Sequence, residues 1–441
     1  MEHNTPDIIT QSKKIFFFGI GGMGISAIAR MMIEQGKTVI GQDISASTNL
    51  SHLEDLGASI SIGQDISAIP VDTDIIVYSR AIEILYPDFL KEIKQLDIPS
   101  YVYPEMLGII SKDLYTIAIA GAHGKTTTTG MMAHTLGVCG KDPTVVIGSF
   151  LQGSHSNFIQ GKSNYFVVEA DEYHRAFLHL YPQILIITNI DLDHVDYYKD
   201  IDDVISAYKA LVEKIPSSGY VVCDSEHPYI KQVIKHTQAT IVDYRTKAKK
   251  RAIKIPGNHM QFDAACVAAG AHILGITDAQ IDAALETFPG TWKRFEYKGK
   301  TKTQALVYDD FAHHPTEITA TLQGFRELYQ DKKIVVIFQP HLFSRTKALF
   351  SDFAASFTDC DEVIVLPIYV AREKRDDSIT SDMLAHEIEK ASQKPAAAYT
   401  FDETKHYVES QIENQIYDEN TVIVTMGAGD AYTIGEQIAH I

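Results

Sequence analysis

Thr116-Ile117-Ala118-Ile119-Ala120-Gly121-Ala122-His123-Gly124-Lys125-Thr126-Thr127 reads as a buried strand, a glycine turn and the start of a helix. A short apolar run bounded by glycine predicts the strand over Thr116–Ala120, and helical spacing continues over Thr126–Leu136. The turn is G-x-x-G-K-T and lacks the first glycine of G-x-x-x-x-G-K-[ST], because position 119 is Ile. The physical parts of a phosphate loop remain: backbone N–H groups to cradle phosphate, Lys125 for the outer oxygens, and the Thr126 hydroxyl for Mg²⁺. A glycine-lysine turn followed by four threonines is a poor packing solution, so this segment predicts an ATP-type site.

Outward from this loop, strand-like runs alternate with helical patterns. Ile15–Phe18, Thr38–Gly41, Ile75–Ser79, Tyr165–Glu169, Ile184–Thr188, Tyr220–Cys223, Ile334–Phe338, Glu362–Leu366 and Thr421–Thr425 read as strands. Gly24–Gln35 and Ala264–Leu274 carry helical spacing. Such alternation implies an α/β fold with mostly parallel sheets covered on both faces. Glycine-rich turns near residues 19, 121 and 427 each follow a strand and are spaced as if in separate domains. We therefore expect three domains, 1–110, 111–290 and 291–441, with Pro289-Gly290 punctuating the second boundary.

Lys and Arg total 39 and Asp and Glu 57, for a formal net charge of −18. Nucleic acid and anionic membranes call for a positive face, so neither is an expected partner. The four cysteines are widely separated, which fits free thiols in a reducing cytoplasm and no disulfide or zinc framework. Met1–Lys14 is polar, without a signal-peptide core. Ile15–Ile33 is broken by four glycines and Arg30, so it predicts strand, turn and helix instead of a membrane span. The basic cluster Arg245–Lys254 reads as a solvated loop.

Gly19-Ile20-Gly21-Gly22-Met23-Gly24 opens a helix after Ile15–Phe18. Its glycines suit a tight turn, close approach of backbone to phosphate, and helix–strand packing. Asp43, at the end of the next strand, stands where an acid would bind a ribose hydroxyl. These parts fit a nicotinamide or flavin nucleotide and equally a UDP-sugar.

Two acidic strand ends, Glu169-Ala170-Asp171-Glu172 and Asn189-Ile190-Asp191-Leu192-Asp193-His194, would line the crevice beside the phosphate loop. Glu169 is the preferred Mg²⁺ ligand, with His194 a ligand or a substrate-orienting group. Farther on, Tyr308–Glu317 carries Asp309 and the pair His313-His314, and Phe338–Thr346 carries Arg345 just past a strand, a candidate for gripping a carboxylate. Gly427-Ala428-Gly429-Asp430 could present further amides to an anion.

Together these segments, with Glu105-Met106-Leu107 and Arg294-Phe295-Glu296, resemble the Mur ligase family in order and spacing nearly end to end. The resemblance is greatest to its branch that joins L-alanine to UDP-N-acetylmuramate. It implies an N-terminal Rossmann-like domain, a central P-loop ATPase and a C-terminal Rossmann-like domain. It also implies an ATP-dependent ligase acting in peptidoglycan synthesis through an acyl phosphate, with ATP and Mg²⁺ as cofactors, in the cytoplasm, as a monomer or weak dimer. Gly19, Gly21, Gly22, Gly24, Asp43 and Ser79 would then face the UDP-sugar. Gly121, Ala122, His123, Gly124, Lys125, Thr126 and Thr127, with His259, Arg294 and Asp309, would face ATP. Thr126, Glu169 and His194 would hold Mg²⁺, His313 and Arg345 would hold L-alanine, and His194 or His313 would act as base.

The chain departs from the family pattern in places. His259-Met260-Gln261-Phe262-Asp263 keeps the histidine of H-N-x-x-N and loses both asparagines. Lys293 stands for the first arginine of R-R-F-E, Phe311 for a tyrosine, and Leu342 for an arginine. A peptide-recycling branch, adding L-Ala-γ-D-Glu-diaminopimelate, is the alternative. Its third domain tends to lack F-Q-P-H-x-x-S-R-T, which is present here. A nicotinamide oxidoreductase would leave Lys125–Thr127 unexplained, and a regulatory ATP switch would leave the retained site residues unexplained.

Overall fold

The computed structural model describes residues 5–151, 156–371 and 373–439. Strands β1 (Lys14–Phe18), β2 (Thr38–Asp43), β3 (Ser59–Ile62), β4 (Ile75–Tyr78) and β5 (Ser100–Val102) form a sheet in the order β3-β2-β1-β4-β5, every pair parallel. Phe16, Phe17 and Phe18 of β1 are all fully buried, as expected for a central strand covered by helices on both faces. The helix Met23–Glu34 leaves β1 through the first glycine loop. It stops at Gly36 (φ +76°), a left-handed conformation in which glycine carries no steric cost.

A second sheet contains β6 (Tyr115–Ala120), β7 (Thr144–Leu151), β8 (Ser156–Ile159), β9 (Tyr165–Glu169), β10 (Ile184–Ile187), β11 (Tyr220–Cys223) and β12 (Thr240–Asp243). Its order is β12-β11-β10-β6-β9-β7-β8, parallel except for the β7–β8 hairpin. The third sheet contains β13 (Glu296–Lys300), β14 (Leu306–Asp310), β15 (Lys333–Phe338), β16 (Glu362–Val365), β17 (Ala396–Ala398) and β18 (Thr421–Met426). It runs β13-β14-β18-β15-β16-β17, with only the edge strand β13 antiparallel. Hydrophobic clusters on both faces of this sheet interleave successive residues of β15: Ile334, Val336 and Phe338 on one side, Val335 and Ile337 on the other.

The described residues fall into two compact units. One runs through Ile190 and includes Val204–Ala248 and Ala264–Leu285; the other comprises Asp191–Asp203, Lys249–Asp263 and Glu286 onward. The expected boundary at 110 lies inside the first unit, for visible reasons. The β7–β8 hairpin packs on the helix Met23–Glu34, where Asn157 Nδ2 donates to Ser26 Oγ (2.9 Å). The helix Tyr103–Lys112 packs on Tyr173–His179 so closely that a Cβ at Gly108 would collide with the His179 carbonyl. Among the described residues no helix is long and apolar enough to cross a membrane.

Candidate active site

In a parallel sheet the ligand crevice lies at the carboxyl ends of the strands. Here β6 sits between β9 and β10, so the loop after it meets the ends of both. Gly121 (φ +147°) and Gly124 (φ +79°) take backbone conformations that L side chains rarely adopt, and a Cβ at Gly121 would overlap Thr188 Oγ1. Thr188 Oγ1 donates to the His123 carbonyl (2.6 Å). Asn189 takes the His123 N–H (2.9 Å) and donates to the His123 carbonyl (2.9 Å). The loop is thus clamped by the end of β10, and the helix Lys125–Val138 starts with its N–H groups directed at the crevice. Gly121→Ala is expected to weaken ATP binding by about ten-fold or more, since forced left-handed geometry costs about 1–3 kcal/mol. Nucleotide titration checks this, and unchanged affinity would contradict the cradle.

Lys125 Nζ donates to the carbonyls of Gly121 (2.6 Å) and Ala122 (3.2 Å) and pairs with Glu172 (2.9 Å). Burial works against its ammonium, but Glu172, Asp171 and Glu169 outweigh that and raise its pKa. Burial in turn pushes the Glu172 carboxyl up to about 7, against the pull of Lys125. Glu169, at the end of β9, accepts from Thr126 Oγ1 (3.0 Å) and from Gly148 N–H of β7 (2.8 Å); burial raises its pKa as well. A hydroxyl and a carboxylate side by side at the head of a phosphate loop are hard oxygen donors, which suit Mg²⁺. Thr127 and Ala122 are buried in the loop's support.

The first glycine loop borders a cavity of about 340 Å³ lined by Gly19, Gly21, Gly22, Asp43, Ser79 and Tyr86, among others. Gly19 has φ +70°, and a Cβ there would meet Ser79 Oγ at 2.5 Å. Asp43 accepts the Gly21 N–H (2.8 Å), so it also braces the loop and that amide is taken. Gly24 is required for a reason the sequence does not reveal. A Cβ there would strike the ring of Tyr103, not a neighbouring strand.

The second unit gathers the remaining residues. Arg345 is buried at the start of the helix Phe343–Ala348 and donates to Asp193 Oδ1 through Nη2 (2.6 Å) and Nε (3.1 Å). Burial works against the Asp193 carboxylate, yet His194, Arg345, His313 and His314 together hold it well below the usual range. The Arg345 guanidinium, read from sequence as free for a substrate carboxylate, therefore already has an internal one; its Nη1 lies 3.4 Å from His341 Nδ1. His313 Nδ1 faces the Phe311 carbonyl (3.0 Å) and Glu317 Oε2 (3.2 Å). His194 has φ +53°, with its N–H on Asp193 (2.6 Å).

Arg294 stacks over Phe311 (5.1 Å) and lies 3.7 Å from Glu317. Asp309 accepts from Thr425 Oγ1 (2.7 Å), while its Oδ2 is buried without a hydrogen-bond partner among the described residues. Burial pushes its carboxyl up to about 7. Burial, with Arg294 nearby, lowers His259 to about 4, so it is neutral. The amides of Asp430 and Ala431 both bind Gln339 Oε1 (2.5 and 3.1 Å), so the turn at 427 is braced from within and those two amides are not free for an anion. The cluster 245–254 is mostly exposed, as expected, except for Arg251, which is buried and whose backbone pairs with the Gln261 side chain. Glu172, Asn189, Tyr103 and Glu317 are site residues that sequence reasoning did not single out. Glu172, Asn189 and Glu317 stood in the quoted motifs, but nothing in their spacing marked them as partners of Lys125, His123 and His313.

Residues 14–115 match the domain described as Mur ligase family, catalytic domain; residues 119–276 match the Mur ligase middle domain; and residues 293–429 match the Mur ligase glutamate ligase domain. The chain is 37% identical to a UDP-N-acetylmuramate–L-alanine ligase of Clostridium kluyveri, over 97% of this chain and 98% of that protein. It is similar to the crystal structure of a UDP-N-acetylmuramate–alanine ligase from Thermotoga maritima, with TM-score 0.76, 28% identity, and coverage of 96% and 98%. The fold also resembles a murein peptide ligase from Psychrobacter arcticus, with TM-score 0.69, 23% identity, and coverage of 97% and 98%.

Proposed function

The chain belongs to the Mur ligase family, and from that premise we propose that it joins L-alanine to UDP-N-acetylmuramate at the expense of ATP. The observation that carries this reading is the end-to-end likeness to an alanine-adding relative. The clamped phosphate loop with Lys125, Thr126 and Glu169 supports it. Residues 1–110 serve the UDP-sugar, 111–290 ATP, and 291–441 the amino acid. ATP and a UDP-sugar as substrates place the reaction in the cytoplasm.

ATP phosphates occupy the Gly121–Thr127 loop, and Lys125 moves from Glu172 and the loop carbonyls to the outer phosphate oxygens. Thr126 and Glu169 would hold Mg²⁺, which when bound would offset charge on the phosphoryl oxygens, and His194 keeps its expected role as a ligand or substrate-orienting group. The sugar-nucleotide carboxylate attacks the terminal phosphorus in line, giving an acyl phosphate and ADP. The amine of L-alanine attacks the acyl carbon, and phosphate leaves.

His313 is the base this geometry favours. Its Nδ1 proton is fixed by the Phe311 carbonyl and Glu317, which leaves Nε2 to accept the amine proton. Asp193 fixes the Arg345 fork through Nε and Nη2, and the Nη1 edge meets the alanine carboxylate. Arg294, His259 and Asp309 serve the nucleotide.

Phosphate release with ATP, Mg²⁺ and UDP-N-acetylmuramate, across single amino acids and L-Ala-γ-D-Glu-diaminopimelate, tests the reading. Release that needs both the sugar nucleotide and L-alanine is the expected result. Release with the tripeptide alone would move the chain to the peptide-recycling reaction.

A further inference from the structure

Tyr103 is the first residue of the helix Tyr103–Lys112, which follows the last strand of the first sheet. This helix is held from both ends. Glu105 accepts the Val102 N–H (3.0 Å) at its start, and Met106 and Leu107 are buried beneath it. Near its end, Ser111 Oγ accepts the Tyr181 N–H (3.1 Å), and the Ser111 carbonyl accepts from Thr116 Oγ1 (2.9 Å) at the start of β6. Tyr103 is therefore placed by a rigid element joining the first two sheets.

Its ring lies against the helix start of the first glycine loop. A methyl group at Gly24 would sit 2.5 Å from Tyr103 Cζ and 2.8 Å from the hydroxyl oxygen. The β7–β8 hairpin ties that helix start to Glu169: Asn157 Nδ2 donates to the Met23 carbonyl and Gly148 N–H donates to Glu169 (2.8 Å), while burial, with the charges of Asp171 and Glu169, keeps the Tyr103 hydroxyl protonated. Tyrosine hydroxyls that leave bulk water usually find a partner. Here a protonated donor stands between the loop read as the sugar-nucleotide site and the carboxylate read as the metal ligand. In the proposed reaction the carboxylate that becomes phosphorylated has to lie between those two features.

We propose that the Tyr103 hydroxyl hydrogen-bonds the reacting carboxylate of the sugar nucleotide and holds it for attack on ATP. This rests on the functional reading above. It makes Tyr103 a substrate-touching residue and explains why position 24 is glycine: a side chain there would push the ring out of the site.

Tyr103→Phe removes only the hydroxyl and keeps the ring on Gly24, so packing alone predicts no change. UDP-N-acetylmuramate and UDP are titrated into the wild type and the variant, and melting temperatures are recorded. The expected result is an unchanged melting temperature, a roughly ten- to hundred-fold loss of affinity for UDP-N-acetylmuramate, and unchanged affinity for UDP. In turnover, kcat/KM for the sugar nucleotide falls by a similar factor while KM for ATP stays within two-fold. Equal affinity for UDP-N-acetylmuramate in the two proteins would overturn the proposal. A matching loss for UDP would also overturn it, because the hydroxyl would then serve the pyrophosphate. Because these are binding measurements, they stand even if wild-type turnover with L-alanine fails, an outcome that would count against the functional reading instead. Tyr103→Ala, which removes the ring, provides the packing control.

Discussion

Lys125→Met is expected to lower sugar- and alanine-dependent phosphate release by about 10²–10³-fold, the scale seen when one preorganised donor to transition-state charge is removed. The same change should alter the pH dependence of stability. Lys125 is the cation that faces Glu172, Asp171 and Glu169. Even with it present, burial holds Glu172 near 7, above its ordinary 4.5. Removing the cation raises that value further. A group whose folded pKa exceeds its unfolded one costs no stability while it is protonated in both states, below the unfolded value. The cost grows as pH rises toward and through the folded value. The wild type stops losing stability on this account near pH 7, so the variant should keep a roughly constant gap to it below about pH 7 and fall progressively further below it from there to pH 9. Turnover assays and melts across that range check both parts. A gap in melting temperature that is constant with pH would refute the charge argument, and retained turnover would refute the role of Lys125.

Much of this site was legible in the sequence because its parts are local. A strand, a glycine turn and a helix start are contiguous in residues 115–138, and the backbone chemistry follows from the residue types. The ten predicted strands all appear, most within a residue or two of the expected bounds. Most of the missed ones are short or polar edges, although the interior strands β7 and β14 were missed as well. Ser59–Ile62 is largely exposed, Ala396–Ala398 is built from a weak strand former, and Glu296–Lys300 is polar and antiparallel. What stayed hidden depends on juxtaposition across the fold. Asn189 clamps a residue 66 positions away, Glu172 reaches Lys125 across 47, and Arg345 finds Asp193 across 152. Position 24 shows the limit well. Its glycine was explained by helix–strand packing, whereas the constraint comes from the ring of Tyr103, which no local pattern connects to it.

Arg345 and Asp193 carry the largest expected effect on stability. Both side chains are almost fully buried, at 2% and 7% exposure, and share a 2.6 Å contact. Breaking a buried pair by removing one partner typically costs about 3–5 kcal/mol, because the other charge is left in a poor solvent. Arg345→Met and Asp193→Leu should each lower stability by about that amount, while the double replacement should recover most of it. The pair should also respond to acid. The Asp193 carboxyl is held well below its ordinary 3.8, so its contribution is full above that value and fades as pH falls below it. The deficit of Arg345→Met relative to the wild type should therefore shrink in acid, as denaturant melts at pH 7 and pH 3 would show. Arg345→Lys separates stability from recognition. It keeps the charge but loses the planar fork that contacts Asp193 through two nitrogens while presenting a third. Its KM for L-alanine should rise at least ten-fold, with KM for ATP nearly unchanged. If KM for L-alanine holds steady while stability drops, Arg345 is a structural partner of Asp193 alone, and the amino-acid carboxylate is held elsewhere.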